Sequence, residues 1–175
     1  MTEPGLVLQA VRAILYVLPM YFANSSAMLW KGHTPIDLGL NWIDGRPIFG
    51  KGKTVRGTLG GMATGTAVAF VLSYLFRPFT SMLTDNYLLL GFLLSAGAMA
   101  GDIAASFIKR RNNLEVGAPV LFLDQLDFAF GAMIVGSLVY IPEFYEIIVI
   151  CVATVFIHRL SNWIAFKAKL KRVPW

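Results

Sequence analysis

Three carboxylates stand in otherwise apolar sequence: Asp102 in "GDIAASFIKRR", and Asp124 and Asp127 in "LFLDQLDFAFG". Asp124 and Asp127 are three residues apart and share one helix face. Asp102, Ser106 and Lys109 are spaced by four and three, so they share a face of another helix. A carboxylate inside a membrane-spanning segment is costly, and such groups usually face a polar cavity and mark function. Three carboxylates without a histidine or cysteine cluster suit a hard cation, above all Mg²⁺, and do not suit structural zinc. Mg²⁺ commonly completes its shell with substrate phosphates, so the acids also predict a phosphate-bearing substrate. A second reading makes them buried salt bridges, Asp102 with Lys109 or Arg110 and Asp124 with Arg56.

The other candidate is "GKGKTVRG", residues 50–57. Gly52-Lys53-Thr54 resembles the end of a P-loop. A P-loop requires G-x-x-x-x-G-K-[ST] between a strand and a helix, but five residues before Gly52 stands Pro47. No strand-helix-strand pattern surrounds it, so a P-loop NTPase is excluded. The anion chemistry survives that exclusion. Gly50, Gly52 and Gly57 let backbone N–H groups approach an anion. Lys53 and Arg56 add charge, and the segment leads into a helix N-terminus whose dipole favours anions. A basic loop touching lipid headgroups would look similar. Together with the acids, the segment reads as one half of a triphosphate–Mg²⁺ site.

These residues need helices in a bilayer to position them. The 175-residue chain is 57% hydrophobic and only 14% charged, against about 25% charged in soluble domains. A span needs roughly 20 apolar residues, and five stretches qualify, at about 5–30, 57–76, 87–108, 116–140 and 145–166. The expected fold is therefore all-α, a single transmembrane domain of five helices, with loops at about 31–56 and 109–115. Lys31, Arg46, Lys51, Lys53 and Arg56 fall in the first loop, and Lys109, Arg110 and Arg111 in the second. Arg159, Lys167, Lys169, Lys171 and Arg172 gather at the C-terminal end, while the opposite side carries only Arg77. Bases mark cytoplasmic loops. The expected topology is N-terminus outside and C-terminus in the cytoplasm, a multi-pass protein of the cell membrane with its acids towards the cytoplasmic side.

Glycines at four-residue spacing, Gly57, Gly61 and Gly65, then Gly97 and Gly101, predict close helix packing within the chain and allow a homodimer contact. Arg12 interrupts the first apolar stretch and no cleavage site follows, so the stretch reads as a span and not a leader. No basic stripe interleaved with aromatics suggests nucleic acid. Cys151 is alone and fits no disulfide or metal pattern. His33 has no metal-ligand partner at regular spacing, and His158 reads as a packed or interfacial histidine.

"GDIAASFIKRR" followed by "LFLDQLDF" resembles the C-terminal signature of the CDP-diacylglycerol synthase superfamily. The length, the helices and "DGRPIFGKGKTVRG" are more specifically similar to its archaeal branch, the CDP-archaeol synthases (CTP:2,3-di-O-geranylgeranylglycerol-1-phosphate cytidylyltransferases). "FANSSAM" also resembles an Asn-containing segment of that branch. Where bacterial members carry "PGHGG" before the Asp pair, this chain has "VGAPVLF".

The resemblance implies that the phosphate of a diether glycerophosphate lipid attacks the α-phosphorus of CTP, releasing pyrophosphate. It implies Asp124 and Asp127 as Mg²⁺ ligands with Asp102 as a third, and the loop around Lys53, Thr54 and Arg56 on the departing phosphates. It implies Lys109 and Arg110 on a substrate phosphate, and Asn24 with Ser25 on a headgroup. Two alternatives remain at this level. A polyprenol or phytol kinase would release a nucleoside diphosphate. A small transporter would not need Lys53.

Overall fold

A computed structural model of the chain describes residues 5–30 and 32–169. Lys31, Lys171 and Arg172, counted above among the basic residues, lie outside the described residues. Among the described residues six helices follow one another: α1 Leu6–Ala27, α2 Val55–Leu75, α3 Arg77–Thr80, α4 Tyr87–Arg111, α5 Leu123–Gly136 and α6 Phe144–Lys167. Among the described residues there are no strands, only the isolated bridges Pro35 to Thr54 and Asn41 to Pro47 that tie the first long loop to itself.

The helix ends follow local chemistry. Thr54 caps α2 by accepting from the Gly57 N–H at 3.1 Å, and Asn86 caps α4 by accepting from Leu89 at 3.2 Å. Lys109, Arg110 and Arg111 occupy the last turn of α4, where the dipole favours cations. A reciprocal capping box of Glu143 and Glu146 starts α6.

The glycine spacing is used inside the chain. Gly57, Gly61 and Gly65 of α2 lie in turn against the α1 backbone carbonyls of Ala27, Ala23 and Pro19. Gly97 and Gly101 of α4 press on the backbone of Gly131, Ala132 and Asp127 in α5. Any side chain at these contacts would separate the helices, which is why small residues stand there. The core between them holds Tyr16, Met20, Leu90, Leu94, Phe128 and Ala132, all 2% exposed or less. Helix α6 buries one stripe, Glu146, Ile150 and Thr154, and exposes Val152, Phe156, Leu160 and Trp163.

Among the described residues four helices are long and apolar enough to cross a membrane: Val7–Ala27, Val55–Leu75, Tyr87–Arg111 and Phe144–Ile164. The stretch expected at 116–140 differs. Its helix, α5, has 14 residues, about 21 Å of rise. The chain before it is irregular: Gly117 and Phe122 both have positive φ, and Asp124 accepts from the Val120 N–H at 3.0 Å. These turn residues stop the helix from starting earlier. The short helix α3 lies between the second and third expected spans.

A second charged cluster lies far along α1 from the long loop. Arg12 donates to the Tyr140 hydroxyl at 2.5 Å and lies 3.5 Å from Glu146, whose other oxygen accepts from Tyr140 and from the Glu143 N–H, each at 2.9 Å. Helix α1 is thereby joined to the start of α6.

Candidate active site

The basic loop takes its shape from a residue that the sequence reading did not single out. The Asp37 carboxylate is buried and accepts three backbone N–H groups, from Gly39 at 3.0 Å, Phe49 at 2.9 Å and Gly50 at 2.8 Å. Burial works to raise its pKa, but the three donors together hold it below the usual carboxylate value. The signal was present: an aspartate two residues before a glycine is a turn-forming pattern. Lys53 accepts from Ile36 through its backbone, and Val55 donates to Thr34. The segment is thus pinned at both ends as it enters α2.

Two expected anion donors are already engaged. The Gly50 N–H serves Asp37, and the Gly57 N–H serves the Thr54 hydroxyl. Gly52 remains at the lining of the main cavity with Lys53 and Thr54.

Lys53 Nζ lies 2.5 Å from Asp102 Oδ2 on α4. Lys109 pairs with Asp124 and also donates to the Ala118 carbonyl at 3.1 Å. The acids and bases do meet, but with other partners than the salt-bridge reading expected. Asp102 takes Lys53 and not Lys109 or Arg110; Asp124 takes Lys109 and not Arg56. The partners differ because the first loop folds over the end of α4. Arg111 holds it there, ion-paired with Asp44 at 2.9 Å, donating to the Pro47 carbonyl at 2.6 Å, and lying 4.9 Å over the Phe107 ring. Arg46 returns a bond to the Arg111 carbonyl at 2.8 Å.

The remaining candidates separate. Asp127 is half-buried where Gly101 packs on its backbone, within electrostatic reach of Asp102, Lys53 and Asp124. Ser106 donates to the Asp102 carbonyl at 3.0 Å, so it belongs to its own helix and not to the cavity lining. Arg110 is buried and donates to the Glu115 carbonyl at 3.0 Å, holding the following loop. Arg56 is exposed beside Gly32. Among the described residues no three His, Cys, Asp or Glu side chains form a group able to hold a metal ion by themselves.

A cavity of about 750 Å³ opens where these parts converge. Lys53, Thr54 and Asp102 line one side, and Asn24 and Ser25 of α1 another. A smaller cavity of about 320 Å³ lies beside Asp124 and Gln125. His158 and Asn162 of α6 line both. The His158 ring stacks on Phe128, 6.2 Å between centroids, and its Nδ1 lies 3.2 Å from the Asn162 amide nitrogen. His158 is therefore packed, as expected, but also sits at the junction of the cavities. Sequence reading missed Asn162, although a polar pair four apart on an apolar helix is a recognisable signal.

Comparison with known proteins bears on this geometry. A family model described as CarS-like, CDP-archaeol synthase, matches residues 6–175. The CDP-archaeol synthase of Methanocaldococcus jannaschii is 45% identical over 169 residues, covering 93% of this chain and 96% of that protein. That of Pyrococcus furiosus is 43% identical over 165 residues, covering 94% and 98%. A solved structure described as an intramembrane enzyme for archaeal membrane lipids biosynthesis superposes with a TM-score of 0.78 at 34% identity, covering 86% of this chain and 92% of that one.

Proposed function

This chain belongs to the CDP-archaeol synthase family, and from that premise we propose how its residues divide the work of the reaction. It is a CTP-dependent cytidylyltransferase of archaeal lipid biosynthesis. A phosphate oxygen of a diether glycerophosphate lipid bonds to the α-phosphorus of CTP. The bond to the β-phosphate breaks, and pyrophosphate leaves. The lipid phosphate is already ionised, so no general base is required. Such a transfer depends on positioning and charge neutralisation.

The observation that carries the assignment of roles is the Lys53–Asp102 pair at the wall of the main cavity. In it the basic loop and an acidic helix neutralise one another where a triphosphate would sit. With nucleotide bound, Lys53 turns to the β- and γ-phosphates, with Thr54 and the Gly52 backbone beside it and Arg56 at the exposed edge. Lys109, now on Asp124, is the second cation free to exchange a carboxylate for a phosphate. Asn24 and Ser25 face the same cavity from α1 and suit the lipid headgroup. The lipid tails enter sideways from the bilayer.

Asp102, Asp124 and Asp127 would hold Mg²⁺. Two of them sit against lysines and the three do not form a ligand group by themselves, which fits an ion whose shell is completed by phosphate and water. Bound Mg²⁺ supplies charge for the attacking and leaving oxygens.

We also propose that α5, packed against α4, completes a bundle of five spans, with the N-terminus outside and the site facing the cytoplasm of the cell membrane. The bias of bases towards the two long loops and the C-terminal end supports this orientation. Family membership favours nucleotidyl transfer over the γ-phosphate transfer of a lipid kinase and over transport. The test is incubation of purified protein with Mg²⁺, an archaeal diether lipid phosphate and α-³²P-labelled CTP. Label in the extracted lipid is expected; label confined to the aqueous phase would overturn the reading.

A further inference from the structure

The loop that carries Lys53 is apolar where turns are usually polar. The Trp42 N–H donates to the Arg46 carbonyl at 2.7 Å and the Gly45 N–H to the Trp42 carbonyl at 2.9 Å, which closes a tight turn. At and before this turn, Leu38, Leu40, Trp42 and Ile43 are 71%, 60%, 44% and 95% exposed. Single exposed apolar residues need no explanation, but several together mark a surface that meets something. We propose that this loop tip inserts into the bilayer interface at the basic end of α4, with Trp42 at headgroup level and Ile43 reaching the acyl boundary.

Three observations point to the bilayer and not to another protein. The first is depth. The Trp42 ring packs edge-on against Phe107 of α4, 5.4 Å between centroids at 87°. Phe107 comes just before the bases that end α4, Lys109, Arg110 and Arg111. Such bases mark the membrane–water boundary, and tryptophan is enriched at the same level. The contact therefore holds the turn at the height of the membrane surface and not in the water above it. The second is direction. Helix α4 is long and apolar enough to span, and Phe92, Ala100, Ala104 and Ile108 are exposed along it at multiples of four residues, the stripe that meets lipid. Phe107 borders that stripe, three residues from Ala104 and one from Ile108. The loop tip thus extends a lipid-facing surface.

The third is charge. Asp44 is the one acid among residues 38–47, and it is ion-paired with Arg111 at 2.9 Å. Arg46 then leaves the segment with a net positive charge, which suits anionic headgroups. Apolar tip residues backed by bases are the pattern of a segment that lies in an interface. The consequence is mechanical. Asp37 ties the flanks of the tip together through Gly39, Phe49 and Gly50, and Lys53 follows three residues later. An anchored tip sets the height of Lys53 relative to the lipid phosphates. That consequence rests on the proposed function; the insertion itself does not.

The test measures depth, in full-length protein reconstituted into vesicles of anionic diether phospholipid. Cys151, the single cysteine, is replaced by serine, and a nitroxide is attached at Ile43→Cys. Its collisions with oxygen, which concentrates among the acyl chains, are compared with collisions with a water-soluble nickel chelate. The nitroxide at 43 is expected about 5–10 Å below the headgroup surface. One at Lys51→Cys, exposed on the same loop, is expected in water. A nitroxide at 43 as open to nickel as that at 51 would overturn the proposal. Shielding from both reagents would overturn it too, because protein would then cover the tip. Trp42→Phe gives a reading free of the nitroxide and keeps a ring on Phe107. Lipid brominated in its tails should quench a component of the wild-type emission that this variant lacks. Quenching of that component by aqueous iodide, and not by brominated lipid, would refute insertion. None of these measurements uses nucleotide. An aqueous tip in protein that still transfers label from CTP to lipid would sink the anchor alone, and an inserted tip in protein that transfers none would sink only the transferase reading.

Discussion

Arg12 and Lys53 are both cations set against carboxylates inside an apolar helix bundle, yet their surroundings differ. Arg12 meets Tyr140 and Glu146, with Glu143 at the exposed edge; the Glu146 side chain is 2% exposed and no described cavity reaches it or Arg12. Lys53 and Asp102 keep about a quarter of their side-chain surface open and line a cavity of about 750 Å³. In the first cluster, Arg12 donates to the Tyr140 hydroxyl and one Glu146 oxygen accepts from Tyr140 and from the Glu143 N–H, and the product is a joint between α1 and α6. In the second, the pair stands at the wall of the cavity, where the proposed function has Lys53 exchange Asp102 for a phosphate. Open volume beside a charged pair suits the reacting site proposed above, and its absence beside Arg12 suits a structural joint.

That contrast can be broken in order of expected effect. Asp124→Asn or Asp127→Asn should lower CTP-dependent lipid labelling by about a thousandfold or more, with thermal unfolding in detergent little changed. Near-normal turnover in either variant would end the metal assignment. Arg12→Leu should do the opposite. It leaves Glu146 buried without its cation, at a cost of about 3 kcal/mol or more in stability, while the activity of the folded fraction is unchanged. Pairing it with Glu146→Leu should recover much of that stability, since both charges are then gone. Activity lost at full stability would erase the distinction between the clusters.

Lys53→Ala should lower kcat/KM for CTP by about tenfold, through KM, kcat or both, with stability nearly unaffected. Unchanged kinetics would return the loop to the role of a headgroup contact. The smallest effect concerns the loop that carries Lys53. The Asp37 carboxyl has a lowered pKa in the folded state. Its contribution to loop order is therefore complete above the ordinary carboxylate pKa of about 4 and lost as pH falls through the lower folded value. Hydrogen exchange at the Phe49 and Gly50 amides should be protected evenly, after correction for intrinsic rates, from neutral pH to about 5, and lose protection only below about 4. Protection lost near neutrality would disprove the assignment.

Much of the fold was legible because bilayer physics leaves few options. Apolar runs of sufficient length located α1, α2, α4 and α6 to within a few residues. Glycines at spacing four identified the close contacts, since only a residue without a side chain permits backbones to meet. The start of α5 was not legible. Apolar residues run through 116–123, and it is turn geometry at Gly117 and Phe122 that breaks them. In the candidate site, Asp102 and Asp124 were visible as residue types out of place, Lys53 and Thr54 through the glycine-rich basic segment, and Asn24 through the family resemblance. Asp37 was overlooked because an exposed-looking loop aspartate gains meaning only when the loop closes on it.

The sequence by itself determined the membrane class, the packing glycines, the two segments that make up the candidate site and the family. Each of these depends on composition or on spacing along one helix, which a chain carries wherever it folds. Only the tertiary structure decided which lysine meets which aspartate, that Gly50 and Gly57 have already committed their N–H groups, and that Arg12 is a joint. Those are relations between segments distant in sequence. They depend on how the first loop folds over the end of α4 and how α5 and α6 close around it, and no local pattern records them.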